Sequence, residues 1–321
     1  MIGIPLVIIV PIGSVYLGTL LLNDTPQALK EVSEKIREDS AKGPVPADDC
    51  EKGTVAVVKT WDMPKELREI SGMAWLDSTR VATIQDRSGI IFIYNLKDEK
   101  VEQEIKFGEP GDYEGISYAH ASYFVLRSDG YLFEVNRQGK VLHEYDLPLT
   151  GKDDTESLFY DAPNNRLLVG QKEGRKDITK KGIFAFDLQT RVFNPDPVYS
   201  FDPNVSFCNR ASGSTIVTGD SATKDDGKKG GSSKGNAGKI VKPSDIAIHP
   251  KTNEIFVVDG PNQRVLVLSP EGAPLYFIKL GKSFEQPEGI MFSPSGDLYV
   301  STEGIKQPGS ISRVTVDTII E

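Results

Sequence analysis

The chain has 321 residues, 38% of them hydrophobic, which is enough to bury one large core or two ordinary ones and too apolar for a disordered chain. Its 46 acidic and 37 basic residues leave a formal charge of −9, which argues against a nucleic-acid surface built on general positive charge. Two cysteines, Cys50 and Cys208, exclude a disulfide framework and a multi-cysteine zinc site, and leave open whether the two pair with each other.

From Ile2 through Leu22 no charged side chain occurs, a run of 21 residues that is long enough to span a bilayer. It lacks the basic start and the small-residue cleavage site of an ordinary signal peptide, so residues 1–23 read as an uncleaved membrane anchor rather than a removed signal. Residues 24–53 follow as a short helix and linker: Leu29, Val32 and Ile36 recur at helical spacing, and "PVPADDCEKG" breaks the pattern. The folded domain is expected over 54–321.

Its character is different throughout. Short runs rich in Val, Ile, Phe and Tyr, such as "TVAVVKTW", "IIFIYNL", "YLFEVN", "GIFAFDL" and "DLYVSTEG", each end in Gly, Asp, Asn or Pro, the pattern of strands joined by tight turns. One phrase recurs among them: "ISGMAW" at 70–75, "YEGISY" at 113–118, "TESLFY" at 155–160, "PSDIAI" at 243–248 and "PEGIMF" at 287–292. Ser71 to Glu114 is 43 residues, Glu114 to Glu156 is 42 and Ser244 to Glu288 is 44, with one long interval of 88 between Glu156 and Ser244. About four strands per unit at that period is the signature of a β-propeller blade.

The fold class is therefore all-β, a β-propeller preceded by an N-terminal hydrophobic segment. The last unit lacks a fourth strand while "TVAVVKTW" precedes the first unit unassigned, so the N-terminal strand is expected to complete the final blade and remove its free edge. Within the long interval, after "VYSFD" at 198–202, only "STIVTGD" reads as a strand, and residues around 219–239 form a glycine- and lysine-rich insertion. Five blades are expected on that count; six, with one degenerate blade, is the alternative.

With "ISGMAW", "YEGISY", "KPSDIAIHPKTNEIFVVDG" and "QPEGIMFSPSGDLYVSTEG" in view, the chain resembles the SdiA-regulated, YjiK-like family of bacterial propeller proteins over about 54–318. The resemblance implies a five-bladed propeller distantly related to NHL-repeat proteins, a membrane or export segment at the N-terminus, and a bound calcium ion. It places the protein in the bacterial cell envelope, anchored through residues 2–22 with the propeller on the periplasmic or extracytoplasmic side. The insertion is longer and more basic than the family pattern.

Equivalent positions in the recurring phrase converge on a propeller's axis, and here they are Ser71, Glu114, Glu156, Ser244 and Glu288. Three carboxylates aimed at one channel repel unless water, a cation or protonation relieves them. Calcium suits such a ring because it accepts carboxylates, carbonyls and waters in flexible geometry, and Asp245 offers a further carboxylate. The alternative is that the glutamates cap backbone N–H groups of neighbouring blades. Asp86, Asp129, Asp259 and Glu303, after the second strands, read as turn residues, as does His249. No nucleophile elbow, Walker or dinucleotide-binding motif occurs. Two functions follow: a calcium-binding, monomeric binding or scaffolding module for an envelope protein or small ligand, or a metal-dependent hydrolase of lactonase or phosphoesterase type.

Overall fold

The computed structural model describes residues 51–149, 154–173, 180–205 and 240–318. The hydrophobic run 2–22, the expected helix and linker up to residue 50, both cysteines, "STIVTGD" and the insertion around 219–239 lie outside the described residues, while 51–53, expected as the end of the linker, already belong to the first strand. Among the described residues no helix is long and apolar enough to cross a membrane.

Among the described residues, twenty strands account for almost all regular structure. The first, β1 (Glu51–Asp62), precedes three four-stranded antiparallel sheets. These are β2 (Ile70–Trp75), β3 (Arg80–Gln85), β4 (Ile90–Asn95) and β5 (Lys100–Lys106); then β6 (Tyr113–Ala119), β7 (Ser122–Arg127), β8 (Tyr131–Val135) and β9 (Val141–Asp146); then β10 (Thr155–Asp161), β11 (Arg166–Gln171), β12 (Lys181–Asp187) and β13 (Val192–Phe201). An eight-stranded sheet holds the rest: β14 (Pro243–Ile248), β15 (Ile255–Asp259), β16 (Arg264–Leu268), β17 (Pro274–Lys279), β18 (Pro287–Phe292), β19 (Leu298–Thr302) and β20 (Ser310–Thr318), with β1 between β17 and β20.

This is an all-β architecture of four-stranded sheets, consistent with a β-propeller. Each recurring phrase is the first strand of its unit, and these strands neighbour one another in a closed circuit: β2 beside β6, β6 beside β10, β10 beside β14, β14 beside β18 and β18 beside β2. The N-terminal strand falls where its sequence suggests. β1 pairs antiparallel with β20 from Gly53–Thr318 to Asp62–Ser310, and its start also runs parallel to β17, which joins two four-stranded halves into one sheet.

The burial pattern explains the sequence pattern. A strand in the middle of a sheet, such as β4 with "IIFIYN", is buried on both faces by the neighbouring sheets and so carries a nearly unbroken apolar run. Outer strands such as β5 and β9 are mostly exposed and read "KVEQEIK" and "VLHEYD". The core accordingly lies between sheets. Ile84, Ile91 and Ile93 of one sheet pack with Ile116, Val125 and Phe133 of the next, and Phe124, Leu126 and Leu132 pack with Leu167, Val169 and Phe186.

Candidate functional site

The recurring phrase carries a structural defect at the same place every time. Pairing between first and second strands slips after Ile70, Tyr113, Thr155, Pro243 and Pro287, so Ser71, Glu114, Glu156, Ser244 and Glu288 sit in β-bulges. A bulge leaves its extra residue outside the ladder and re-aims its side chain. The residue after it must be small where the next inner strand approaches. A Cβ on Gly115 would stand 2.6 Å from the Leu158 Cβ, and one on Gly72 would stand 3.1 Å from the Glu114 carbonyl oxygen. "EG" and "SG" are thus a bulge residue followed by a close-contact residue.

The bulges bring three carboxylates into one electrostatic neighbourhood at one end of the inner strands. Burial pushes Glu114 up to about 9, with the charges of Glu156 and Asp112 adding to it. Burial likewise raises Glu156, to about 7, against the pull of Lys172. Glu288 is raised by burial as well. Glu156 is 6% exposed, whereas Glu114 and Glu288 keep part of their surface open to solvent.

The counter-ion is a residue that the sequence reading passed over. Lys172 Nζ lies 3.0 Å from Glu156 Oε1. Burial works against its charge, but Glu156, Glu288 and Glu114 outweigh that cost, and its pKa rises. Lys172 directly follows the second strand β11, as Asp86 follows β3 and Glu303 follows β19. "QKEG" at 171–174 stands where "QDRSG" stands at 85–89, and that alignment was the available signal.

Asp86 and Glu303, expected to be turn residues, also act on this mouth. Burial, then the charges of Glu288 and Asp86, push Glu303 up to about 7, and Gln286 donates a hydrogen bond to it. Burial and then Glu69 raise Asp86. Of the other two, Asp129 lies in a turn as expected, whereas Asp259 is the last residue of β15 and a buried ion-pair partner rather than a turn residue. Asp129 pairs with Arg127 at 2.8 Å, and Asp259, fully buried, accepts from Arg264 Nε at 2.7 Å and from the Lys242 backbone at 3.0 Å. His249 Nδ1 accepts from the Thr252 backbone at 3.1 Å, within its turn.

The remaining candidates divide. Asp245 is a wall residue: Oδ1 accepts from Ile246 N and Oδ2 from Ile290 N on the neighbouring strand, both at 2.8 Å, and the Leu158 N–H on the other side adds to them. It takes the capping role that the sequence assigned to the glutamates. Ser71 Oγ points back to the Glu69 carbonyl at 3.4 Å. Ser244 Oγ lies near enough to Glu288 to favour its ionised form but makes no hydrogen bond of ordinary geometry.

Among the described residues no three Asp, Glu, His or Cys side chains already share one point as metal ligands. The donor chemistry nevertheless suits a hard cation. Three ring carboxylates against the single ammonium of Lys172 leave two negative charges uncompensated when all are ionised, and the Ser244 hydroxyl is buried without a partner.

No family model matches the chain, and no curated protein does. Among solved structures, the glutaminyl cyclase of Myxococcus xanthus superposes with a TM-score of 0.57 at 11% identity, covering 84% of this chain and 99% of its own. A streptogramin B lyase gives 0.45 at 10% identity, over 84% of this chain and 99% of the lyase. The virginiamycin B lyase of Staphylococcus aureus gives 0.42 at 14%, over 83% and 75%. At these identities the likeness concerns the fold alone.

Proposed function

We propose that the chain is a five-bladed propeller of the SdiA-regulated, YjiK-like kind, held at the bacterial envelope by residues 2–22 and serving there as a calcium-binding binding or scaffolding module. Three separate four-stranded sheets and two halves of the eight-stranded one, with their inner strands in a closed circuit, support five blades rather than six. The 21-residue uncharged run supports the anchor.

The observation that carries the calcium reading is the imbalance at the acidic mouth: Glu114, Glu156 and Glu288 face one ammonium, and two of them are raised to about 9 and about 7. Burial is the main cause of both rises and the neighbouring carboxylates add to Glu114's, so a ring with all three ionised calls for more positive charge than Lys172 supplies. Glu114, Glu288 and Ser244 would hold the ion, with Glu156 shared between it and Lys172. A bound divalent ion would let all three carboxylates ionise.

Calcium binding to the purified full chain, followed by equilibrium dialysis at pH 8, tests this. Glu114→Gln and Glu288→Gln should weaken binding by about tenfold or more each, and Lys172→Met should strengthen it by a similar factor, since a neighbouring positive charge is removed. Asp129→Asn, in its turn, should leave binding unchanged. No saturable binding, or weaker binding in the Lys172 variant, would overturn the reading.

A second reading rests on the same pKa separation. A carboxyl kept protonated at neutral pH beside one poised near 7 is the arrangement of an acid–base pair. It supports the hydrolase alternative, in which the Glu114–Glu156 pair together supplies the acid and the base for a lactone or phosphoester. Turnover of either substrate class that is lost in Glu114→Gln would favour the enzyme over the binding module.

A further inference from the structure

Four residues beyond each bulge, at the opposite end of the inner strands, stand Trp75, Tyr118, Tyr160, Ile248 and Phe292. The four aromatic members line one cavity of about 160 Å³ and are half-buried. Each leans sideways on another ring, as Tyr118 does on Tyr123 at 5.1 Å and Phe292 on Phe256 at 5.0 Å, so a gap is left between them. Of the polar groups in the cavity wall, Ser117 Oγ donates to the Leu158 carbonyl at 2.9 Å and the Tyr160 hydroxyl lies 3.4 Å from His120 Nε2. A cavity of about this size has room for one benzene-sized group.

Tyr118 also borders a second cavity, of about 260 Å³, lined by Arg80, Arg137 and Gln103. Arg80 is committed to Asp77, 2.6 Å away. Arg137 is exposed and donates from Nε at 3.0 Å to the Tyr118 hydroxyl; among the described residues no carboxylate stands beside it. An apolar pocket and an unneutralised guanidinium thus meet at one tyrosine.

We propose that this end of the channel binds a small amphipathic acid, with its aryl or short acyl group among Trp75, Tyr118, Tyr160 and Phe292 and its carboxylate on Arg137. Ring faces and hydrocarbon receive the apolar end, and the planar fork of Arg137 matches a carboxylate. This site is separate from the acidic mouth and independent of any metal there.

The test is isothermal titration of the full chain with 3-phenylpropionate, 3-phenylpropanol and 2-phenylethylamine, followed in parallel by tryptophan fluorescence. The protein has two tryptophans, and Trp61 is 6% exposed with its indole N–H bonded to the Leu96 carbonyl, so Trp75 reports. The acid should bind saturably, and the alcohol about tenfold more weakly, the factor one charge-assisted hydrogen bond supplies. Arg137→Gln, an exposed change that should leave melting intact, should reduce the acid to the alcohol's affinity. Tyr160→Ala should weaken both ligands alike. Absence of saturable heat, amine or alcohol binding as tight as the acid, or an acid affinity unmoved by Arg137→Gln would overturn the proposal.

Discussion

Removing residues 51–62 should abolish the cooperative melting transition, whereas removing 24–50 should leave the melting temperature within a few degrees of the intact chain. β1 is bonded on both sides, to β20 along its length and to β17 at its start, so its loss exposes two strand edges at once. It also takes Trp61 away from Tyr299, against which it stacks with centroids 6.1 Å apart, and from the cluster containing Leu67, Tyr94 and Ile311. Truncation of one buried Trp to Ala alone typically costs about 3–5 kcal/mol, a large part of a domain's net stability. Equal thermal unfolding of the strand deletion and the intact chain, followed by circular dichroism, would contradict the assignment of β1 as the closing strand.

Asp245→Ala is expected to destabilise by about 3 kcal/mol or more while leaving the calcium response in place. The carboxylate holds backbone N–H groups of Ile246 and Ile290, and that of Leu158, inside a wall where Asp245 itself is 5% exposed. Each buried donor left without a partner costs about 1–3 kcal/mol. Denaturant unfolding gives the loss. Were Asp245 a metal ligand instead, the variant would lose its calcium-dependent stabilisation; were it neither, the variant would unfold like the parent.

The recurring phrase disclosed more than its first two letters. Its bulge position gave Glu114, Glu156 and Glu288, and the structure brings these together because a bulge at a fixed place in five inner strands turns five side chains to one mouth. Its last letters, Trp75, Tyr118, Tyr160, Ile248 and Phe292, already spelled the opposite mouth. Lys172 was harder to see, because the residue after the second strand differs from unit to unit, as Asp86, Ser128, Lys172, Gly260 and Glu303, so no repeat pattern marks it. Asp245 was legible as a carboxylate but not as a cap, since the partners that decide its role, Leu158 and Ile290, come from strands far away in sequence. Nothing in a one-dimensional pattern shows that a bulge has turned Ser244 toward Glu288 and its neighbour Asp245 into the wall. The interleaving of β1 between β17 and β20 was half legible: closure onto the last unit followed from counting strands, while the parallel pairing with β17 depends on how the two sheets meet in space.

The acidic mouth is tested most directly by the melting temperature of the chelated protein against pH, measured again in calcium. Glu114, Glu156 and Glu303 have folded-state pKa values of about 9, about 7 and about 7, all above the unfolded carboxylate value. Groups raised in this way bind protons more tightly when folded, so their contribution is complete below the unfolded pKa and is lost as pH rises through 7 and then 9. Without metal, stability should therefore fall between pH 5 and pH 9. On the proposed reading calcium would supply the missing charge to the ionised ring, should flatten that fall, and should raise the melting temperature most at the alkaline end, with about 2.7 kcal/mol expected at a hundredfold excess over its dissociation constant. Two superimposed profiles, with and without calcium from pH 5 to pH 9, would show that Lys172 and protons alone balance the three glutamates, and would contradict the account.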